Sequence, residues 1–181
     1  MVRPNGEHKC LIDRIDEWDT GYDMILIMGN MNDYSDVSYF NESKLGVMGD
    51  KTKDTQYGAI DVTINKLINK YPNASIGWII STPRQYLEKY GSSSPVAQNG
   101  YLWGNTSAFD KASQAIKEVC EKYSIPVLDL YHESGLRPWN ETNRAEYFSC
   151  TQSPDGDGVH PNEKGQQKIA YKIYGFINQY M

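Results

Sequence analysis

Apolar and polar residues alternate in blocks along the chain and predict an order of strand, helix, strand, helix. The run at 22–29 (YDMILIMG) is continuously apolar over the length of one strand, which predicts a strand buried on both faces. Similar runs lie at 74–82 (ASIGWIIST) and 125–131 (IPVLDLY). Strands of this kind are typical of parallel sheets covered by helices, so the pattern predicts an α/β fold.

Segments with apolar residues at helical spacing separate these strands. Helices are predicted at 10–18 and 107–124, and another within 55–72 that ends before Pro72. A last helix is predicted from Pro161 to 180, because proline suits a first helical turn. The segments 83–106 and 132–160 show no such period and are predicted to be long loops. Loops of this length inside compact domains are usually functional or mobile.

Composition excludes several classes of protein. The 181 residues, of which 39% are hydrophobic, fit one globular domain, 1–181, with a single core. The net charge of -5 and the scattered Lys and Arg argue against a nucleic-acid partner. No apolar run approaches the roughly 20 residues of a membrane span, and the first residues lack a signal-peptide core, so we expect a soluble chain of undetermined location. Three widely spaced cysteines predict free thiols.

Three polar clusters follow the predicted strands or precede the last helix. They are GNMNDY at 29–34, STPR at 81–84 and DGDGVHPN at 155–162. The carboxyl ends of parallel strands meet at one edge of a sheet, where ligands bind in α/β proteins. The sequence therefore predicts one site built from these clusters.

The last cluster carries an aspartate three residues before a histidine. A turn can bring the carboxylate of Asp157 to one imidazole nitrogen of His160, which leaves the other nitrogen as a proton acceptor. This is the base-and-orienter half of a hydrolytic triad, and Gly156 and Gly158 permit the tight turns that it needs. A helix-capping or core histidine is the alternative.

Asn32 follows the first predicted strand. Its amide can donate to a developing oxyanion, a role worth about 3 to 4 kcal/mol. Asn32 and Asp33 are alternatively turn residues, and we expect Asp33 to be structural.

Taken in this order, the motifs resemble the SGNH or GDSL hydrolase family. LIMGNMNDY is similar to the third family block with Asn32 at the oxyanion position, and DGVHPNEKG to the fifth with Asp157 and His160 at triad positions; Asn30 departs from a usual glycine. The resemblance implies a flavodoxin-like three-layer α/β/α sandwich with a parallel sheet. It also implies a serine esterase or acetylesterase that needs no cofactor and acts on small-molecule or carbohydrate acyl esters.

The nucleophile of this resemblance is missing from its expected place. The 31 residues before Asn32 contain no serine, and no glycine there matches the family's second oxyanion donor. Ser81 and Ser92–Ser94 are better explained as strand-end and loop residues. We therefore expect an N-terminally incomplete domain whose first strands and serine lie outside the chain. The strand at 22–29 would have an unpaired side, which predicts homodimerisation, association with an N-terminal segment or poor stability. The alternative function is an inactive ligand- or protein-binding module.

Several other residues have open roles. His132 and Glu133 could join His160 as metal ligands, but their spacing does not support it. Trp78 is predicted to be a core residue. Trp103 and Trp139 are loop anchors or a sugar platform. Arg84 is predicted to be a solvated surface residue or, alternatively, to hold a substrate carboxylate.

Overall fold

A computed structural model describes residues 10–29, 44–84, 111–151 and 154–181, and the backbone of 96–97, 101–102 and 107–110. The elements in chain order are α1 (Leu11–Arg14), a 3-10 turn (Ile15–Glu17), β1 (Met24–Met28), α2 (Gln56–Lys70), β2 (Ser75–Ile80), β3 (Val96–Ala97), β4 (Tyr101–Leu102), α3 (Ser107–Lys122), β5 (Val127–Asp129), α4 (Leu130–Glu133), α5 (Glu141–Tyr147) and α6 (Glu163–Tyr180).

The sheet confirms the predicted α/β class. β1, β2 and β5 are parallel and lie in the order β1-β2-β5. β3 and β4 pair antiparallel, with Val96 opposite Leu102 and Ala97 opposite Tyr101. This hairpin lies in the segment 83–106 that was predicted to be a loop. Two residues per strand are too few for a hydrophobic period to show in the sequence.

β1 differs from its prediction in burial. Ile25 and Ile27 are buried, whereas Met24 and Met28 are 45% and 50% exposed. Successive side chains of a strand point to opposite faces, so one face of β1 is buried and the ends of the other are open. The prediction of a strand buried on both faces is wrong here. β1 is one of the two outer strands of the described sheet and pairs with β2 alone.

α2 and α3 lie where the apolar spacing predicts them. The hydroxyl of Thr55 accepts a hydrogen bond from the amide of Gly58 and caps α2. Ile60, Ile64 and Leu67 form its buried face. α2 ends at Lys70, before Pro72, as predicted.

The region after β5 is more helical than predicted. The predicted strand 125–131 ends at Asp129 because the Asp129 side chain accepts from the amide of His132 and starts α4. The prediction of a loop at 132–160 is wrong for α5, which begins after Asn140, whose side chain accepts from the amide of Asn143. Both helices start at a capping residue that the apolar period does not reveal.

α6 begins two residues later than predicted. Pro161 lies outside the helix in an isolated bridge with Phe148. The side chain of Asn162 accepts a hydrogen bond from the amide of Gly165 at 3.1 Å and supplies the cap. Ile169 and Phe176 form the buried face of α6.

The described chain divides into two compact units. The first contains the described residues up to Trp78, Asp110–Val127 and Met181, and the second contains the described residues of 79–109 and Leu128–Tyr180. Ile64, Leu67 and Ile116 are fully buried in the first unit, and Leu130 and Phe148 in the second. Within the described residues, no helix combines the length and apolarity needed to cross a bilayer.

A buried carboxylate joins three elements of the first unit. Asp61 of α2 is 1% exposed and binds the ammonium groups of Lys51 and Lys122 at 2.6 and 2.8 Å. The hydroxyl of Tyr123 donates to it at 2.8 Å. Burial alone would raise the pKa of Asp61, but the hydrogen bonds from Lys122, Lys51 and Tyr123 outweigh burial and lower the pKa from 3.8 to about 2. The carboxylate is therefore a charged anchor of this unit.

Candidate active site

The loop before α6 is held by main-chain hydrogen bonds to the segment that ends α5. The amide of Asp157 donates to the carbonyl of Ser149, and the amide of Ser149 donates to the carbonyl of His160, both at 2.8 Å. The amide of Asn162 donates to the carbonyl of Tyr147 at 2.9 Å. The loop is thus fixed on both sides of the Asp157–His160 pair.

The structure brings Asp157 and His160 together. Oδ2 of Asp157 lies 2.6 Å from Nδ1 of His160. Oδ1 of the same carboxylate accepts the amides of Val159 and His160 at 2.9 and 2.8 Å. The Asp157 side chain is 4% exposed, whereas that of His160 is 67% exposed. A buried carboxylate so oriented accepts the Nδ1 proton, which leaves Nε2 as an exposed proton acceptor.

Gly156 allows the loop to pass close to α5. Its φ is +81°, and an added Cβ would lie 2.4 Å from the carbonyl oxygen of Arg144. Gly158 also has a positive φ of 69°. Other residues adopt such a backbone at a cost, so the two glycines that flank Asp157 are required by the turn, as predicted.

A buried arginine binds the loop that carries Asp157 and His160. Arg144 of α5 is 6% exposed. Its Nε donates to the carbonyl of Asp155 at 3.2 Å, and its Nη1 donates to the carbonyl of Pro138 at 2.9 Å. Sequence reasoning missed this residue, because arginine is usually exposed and its partners are main-chain groups without a sequence signature.

Buried polar residues follow β2. Ser81, Thr82 and Arg84 are 5%, 7% and 8% exposed. The prediction that Arg84 is a solvated surface residue is wrong, because the segment that follows β2 stays inside the protein. Its alternative role toward a substrate carboxylate stays a prediction.

The tryptophans behave differently from one another. Trp78 is 4% exposed and is a core residue, as predicted. Trp139 is 40% exposed in the loop before α5. Trp103 lies outside the described residues, as do Asn32, Asp33 and Ser92–Ser94. Asn32 as oxyanion donor therefore stays a prediction.

A second Asp-x-x-His pair lies at the end of β5. Oδ2 of Asp129 is 2.7 Å from Nδ1 of His132, and Oδ1 accepts the His132 amide at 3.2 Å. Sequence reasoning considered His132 only as a metal ligand with Glu133. The spacing that revealed Asp157 and His160 was also present here and could have revealed this pair. No group of three potential metal ligands occurs within the described part of the chain.

Comparison with solved structures shows the same fold. A protein from Lactobacillus plantarum is 24% identical with a TM-score of 0.75 and is aligned over 97% of this chain and 76% of its own. A candidate lipase from Chitinophaga pinensis is 16% identical, with a TM-score of 0.64 over 93% of this chain and 77% of its own. A candidate GDSL-like lipase from Bacteroides ovatus is 20% identical, with a TM-score of 0.55 over 93% and 59%.

The sequence comparisons add the family. A search of curated proteins gave no significant match. The family model described as GDSL-like lipase/acylhydrolase matches residues 11–173, which include both Asp-x-x-His pairs and most of the described elements. The chain therefore belongs to the GDSL-like lipase/acylhydrolase family.

Proposed function

We propose that this protein is an SGNH-type serine esterase that removes acyl groups, acetyl groups among them, from small-molecule or carbohydrate esters. The contact of 2.6 Å between the buried carboxylate of Asp157 and Nδ1 of the exposed His160 carries the proposal. Membership of the lipase/acylhydrolase family supports the reaction class. In this proposal residues 1–181 act as one SGNH-like domain.

The proposed mechanism follows the chemistry of a hydrolytic triad. Nε2 of His160 takes the proton of a serine hydroxyl as its oxygen attacks the ester carbonyl. The amide of Asn32 donates to the oxyanion. The imidazolium, stabilised by Asp157, then protonates the leaving alcohol, and an acyl-enzyme remains. His160 then deprotonates a water molecule that attacks the acyl-enzyme, and the imidazolium returns this proton to the serine oxygen as the bond to the acyl carbon breaks and the acid leaves. Within the described residues no serine hydroxyl is hydrogen-bonded to His160, and the proposal assigns the attacking serine to none of them.

Hydrolysis of p-nitrophenyl acetate, by the purified chain and by a form extended with the coding sequence that precedes Met1, tests this function. A general base contributes about 100- to 10,000-fold to the rate. His160→Ala should therefore lower kcat by at least about 100-fold. Tyr171→Ala is the matched control, because Tyr171 lies on the adjacent α6 and is 78% exposed. Equal kcat in His160→Ala and wild type would exclude His160 as the base.

The second candidate function is an inactive module of the same fold that binds a ligand or protein. Residues 1–31, where the family resemblance expects the nucleophile, contain no serine, and this observation favours the second candidate. Absence of ester hydrolysis, both by this chain and by a form extended with the coding sequence that precedes Met1, would support the binding module.

The exposed surface of β1 supports an association partner. β1 is one of the two outer strands of the described sheet, and its Met24 and Met28 are about half exposed. We propose that a second copy of the chain or an additional N-terminal segment covers this strand. Outer strands with exposed apolar residues readily pair with another strand.

A further inference from the structure

The pair formed by Asp129 and His132 repeats the geometry of the proposed catalytic pair. In each, one carboxylate oxygen contacts Nδ1, at 2.7 Å in Asp129–His132 and 2.6 Å in Asp157–His160. The other oxygen accepts the histidine amide, at 3.2 and 2.8 Å. The Asp129 side chain is 8% exposed and that of His132 is 54% exposed. Both pairs therefore present an oriented Nε2 to solvent.

The His132 pair lies where ligands bind in this class of fold. Asp129 is the last residue of β5, and β5 is hydrogen-bonded to β2. β2 is followed by buried Ser81, Thr82 and Arg84. The carboxyl ends of these two strands thus form a polar edge, which is the usual place for a ligand in a parallel sheet. Ester hydrolysis at His160 does not use this second imidazole.

The hydrogen bond between Asp129 and His132 determines which kind of ligand Nε2 of His132 can bind. Nδ1–H donates to the Asp129 carboxylate, so the neutral ring offers only an acceptor at Nε2. A neutral acceptor binds the hydrogen of an uncharged donor. A hydroxyl group is the donor that fits. The rings of Tyr131 and His132 pack edge to face, with centroids 4.7 Å apart, and this contact supports the orientation of the imidazole.

We propose that Asp129 and His132 form a binding site in which Nε2 of His132 accepts a hydrogen bond from a hydroxyl group of a polyol or sugar. If the proposed esterase function holds, the hydroxylated ligand is the alcohol part of the ester, and this part of the inference rests on that function. Asp129 acts as a positioning residue that holds the tautomer. His132 is the residue that touches the ligand.

A binding experiment tests the site without any turnover. The full chain, labelled with 15N in its three histidines, is titrated with methyl β-glucoside, which has hydroxyls and no ester. Spectra are recorded at about pH 8, where an ordinary imidazole is neutral. The Nε2 resonance of His132 should shift and saturate, and this resonance is assigned by its absence in His132→Phe. An unchanged His132 resonance up to the solubility limit of the glucoside overturns the proposal.

A kinetic experiment tests the consequence once hydrolysis is established. The ratio of kcat/KM for 6-O-acetylglucose to that for p-nitrophenyl acetate should fall roughly 3- to 10-fold in His132→Phe, the value of one neutral hydrogen bond. His132→Gln retains an acceptor and should recover part of the ratio. Tyr174→Phe, a 67% exposed position on α6, serves as the control. An unchanged ratio in His132→Phe overturns the role in specificity.

The two experiments separate this inference from the proposed function. Failure of the proposed function appears as absence of turnover that depends on His160. The His132 resonance of the wild-type chain still reports on hydroxyl binding in that case. If His132→Phe fails to fold, Asp129→Asn keeps an oxygen to cap α4 and releases the ring, and it should weaken the saturable shift in the same way.

Discussion

Nε of Arg144 donates a hydrogen bond to the carbonyl oxygen of Asp155 at 3.2 Å, two residues before the carboxylate that orients His160. The same guanidinium binds the carbonyl of Pro138 at 2.9 Å, in the loop between α4 and α5. One buried side chain therefore joins two loops of the second unit. The position of Asp157 depends on this bridge and on the main-chain bonds to Ser149.

Replacing Arg144 by methionine should weaken both the fold and the proposed catalytic pair. The Pro138 carbonyl is buried, and leaving it without its donor costs about 1 to 3 kcal/mol, whereas the part-buried Asp155 carbonyl loses a bond that water can replace in part. We expect the free energy of unfolding of Arg144→Met, measured with urea, to fall by about 2 kcal/mol or more. The low-field proton of His160 Nδ1 should broaden or shift in the folded variant. Arg144→Lys keeps the charge but cannot make both bonds. Its free energy of unfolding should therefore lie between those of wild type and Arg144→Met. Wild-type stability in Arg144→Met would show that the bridge is dispensable.

Gly156→Ala should disturb the Asp157 loop more than a comparable change elsewhere. An added methyl group would meet the Arg144 carbonyl at 2.4 Å, in addition to the cost of a positive φ. Gly21→Ala is the matched control, because Gly21 has a φ of +89° but no atom within 4 Å of an added Cβ. The backbone cost alone is about 1 to 2 kcal/mol. Urea unfolding should give a clearly larger loss for Gly156→Ala, and equal losses would exclude the steric effect.

Asp61 should make the stability of the chain depend on pH in the acid range. Its pKa is about 2 in the folded protein against 3.8 for an ordinary aspartate. Because the folded-state pKa is the lower one, the stabilisation is fully present above the unfolded value and is lost as the pH falls toward 2. The shift corresponds to about 2 kcal/mol.

The measurement is urea unfolding of wild type and Asp61→Asn from about pH 7 to the lowest pH at which both fold. We expect the difference in free energy of unfolding to be largest at neutral pH and to shrink below about pH 4. Asp16→Asn is the control, since Asp16 also pairs with a lysine but its side chain is 68% exposed. A difference that is independent of pH would contradict the ionic role of Asp61.

The parts of the fold that were predictable from the sequence are the parts fixed by local patterns. The apolar run of β2 and the apolar face of α2 reflect burial that is continuous along the chain. The contact between Asp157 and His160 was predictable because both residues belong to one turn. The Asp129–His132 pair has the same spacing, and it was missed because the preceding apolar run was interpreted as a strand through residue 131.

Contacts between distant segments were not predictable in this way. Arg144 binds carbonyl groups 6 and 11 residues away, and main-chain carbonyls are the same in every residue. The half-exposed methionines of β1 depend on which strands flank it. An apolar run predicts that a strand exists but not how many neighbours cover it.

The exposed Met24 and Met28 of β1 predict self-association through this strand. Edge strands that carry lysine pair poorly with other strands. If a second copy of the chain covers β1, the double change Met24→Lys and Met28→Lys should shift the protein toward the monomer in sedimentation velocity, with a concentration dependence weaker than that of wild type. Val47→Lys is the matched control, because Val47 is 65% exposed and lies outside the strand. A wild-type chain that is monomeric at every concentration would exclude the second copy as the element that covers β1.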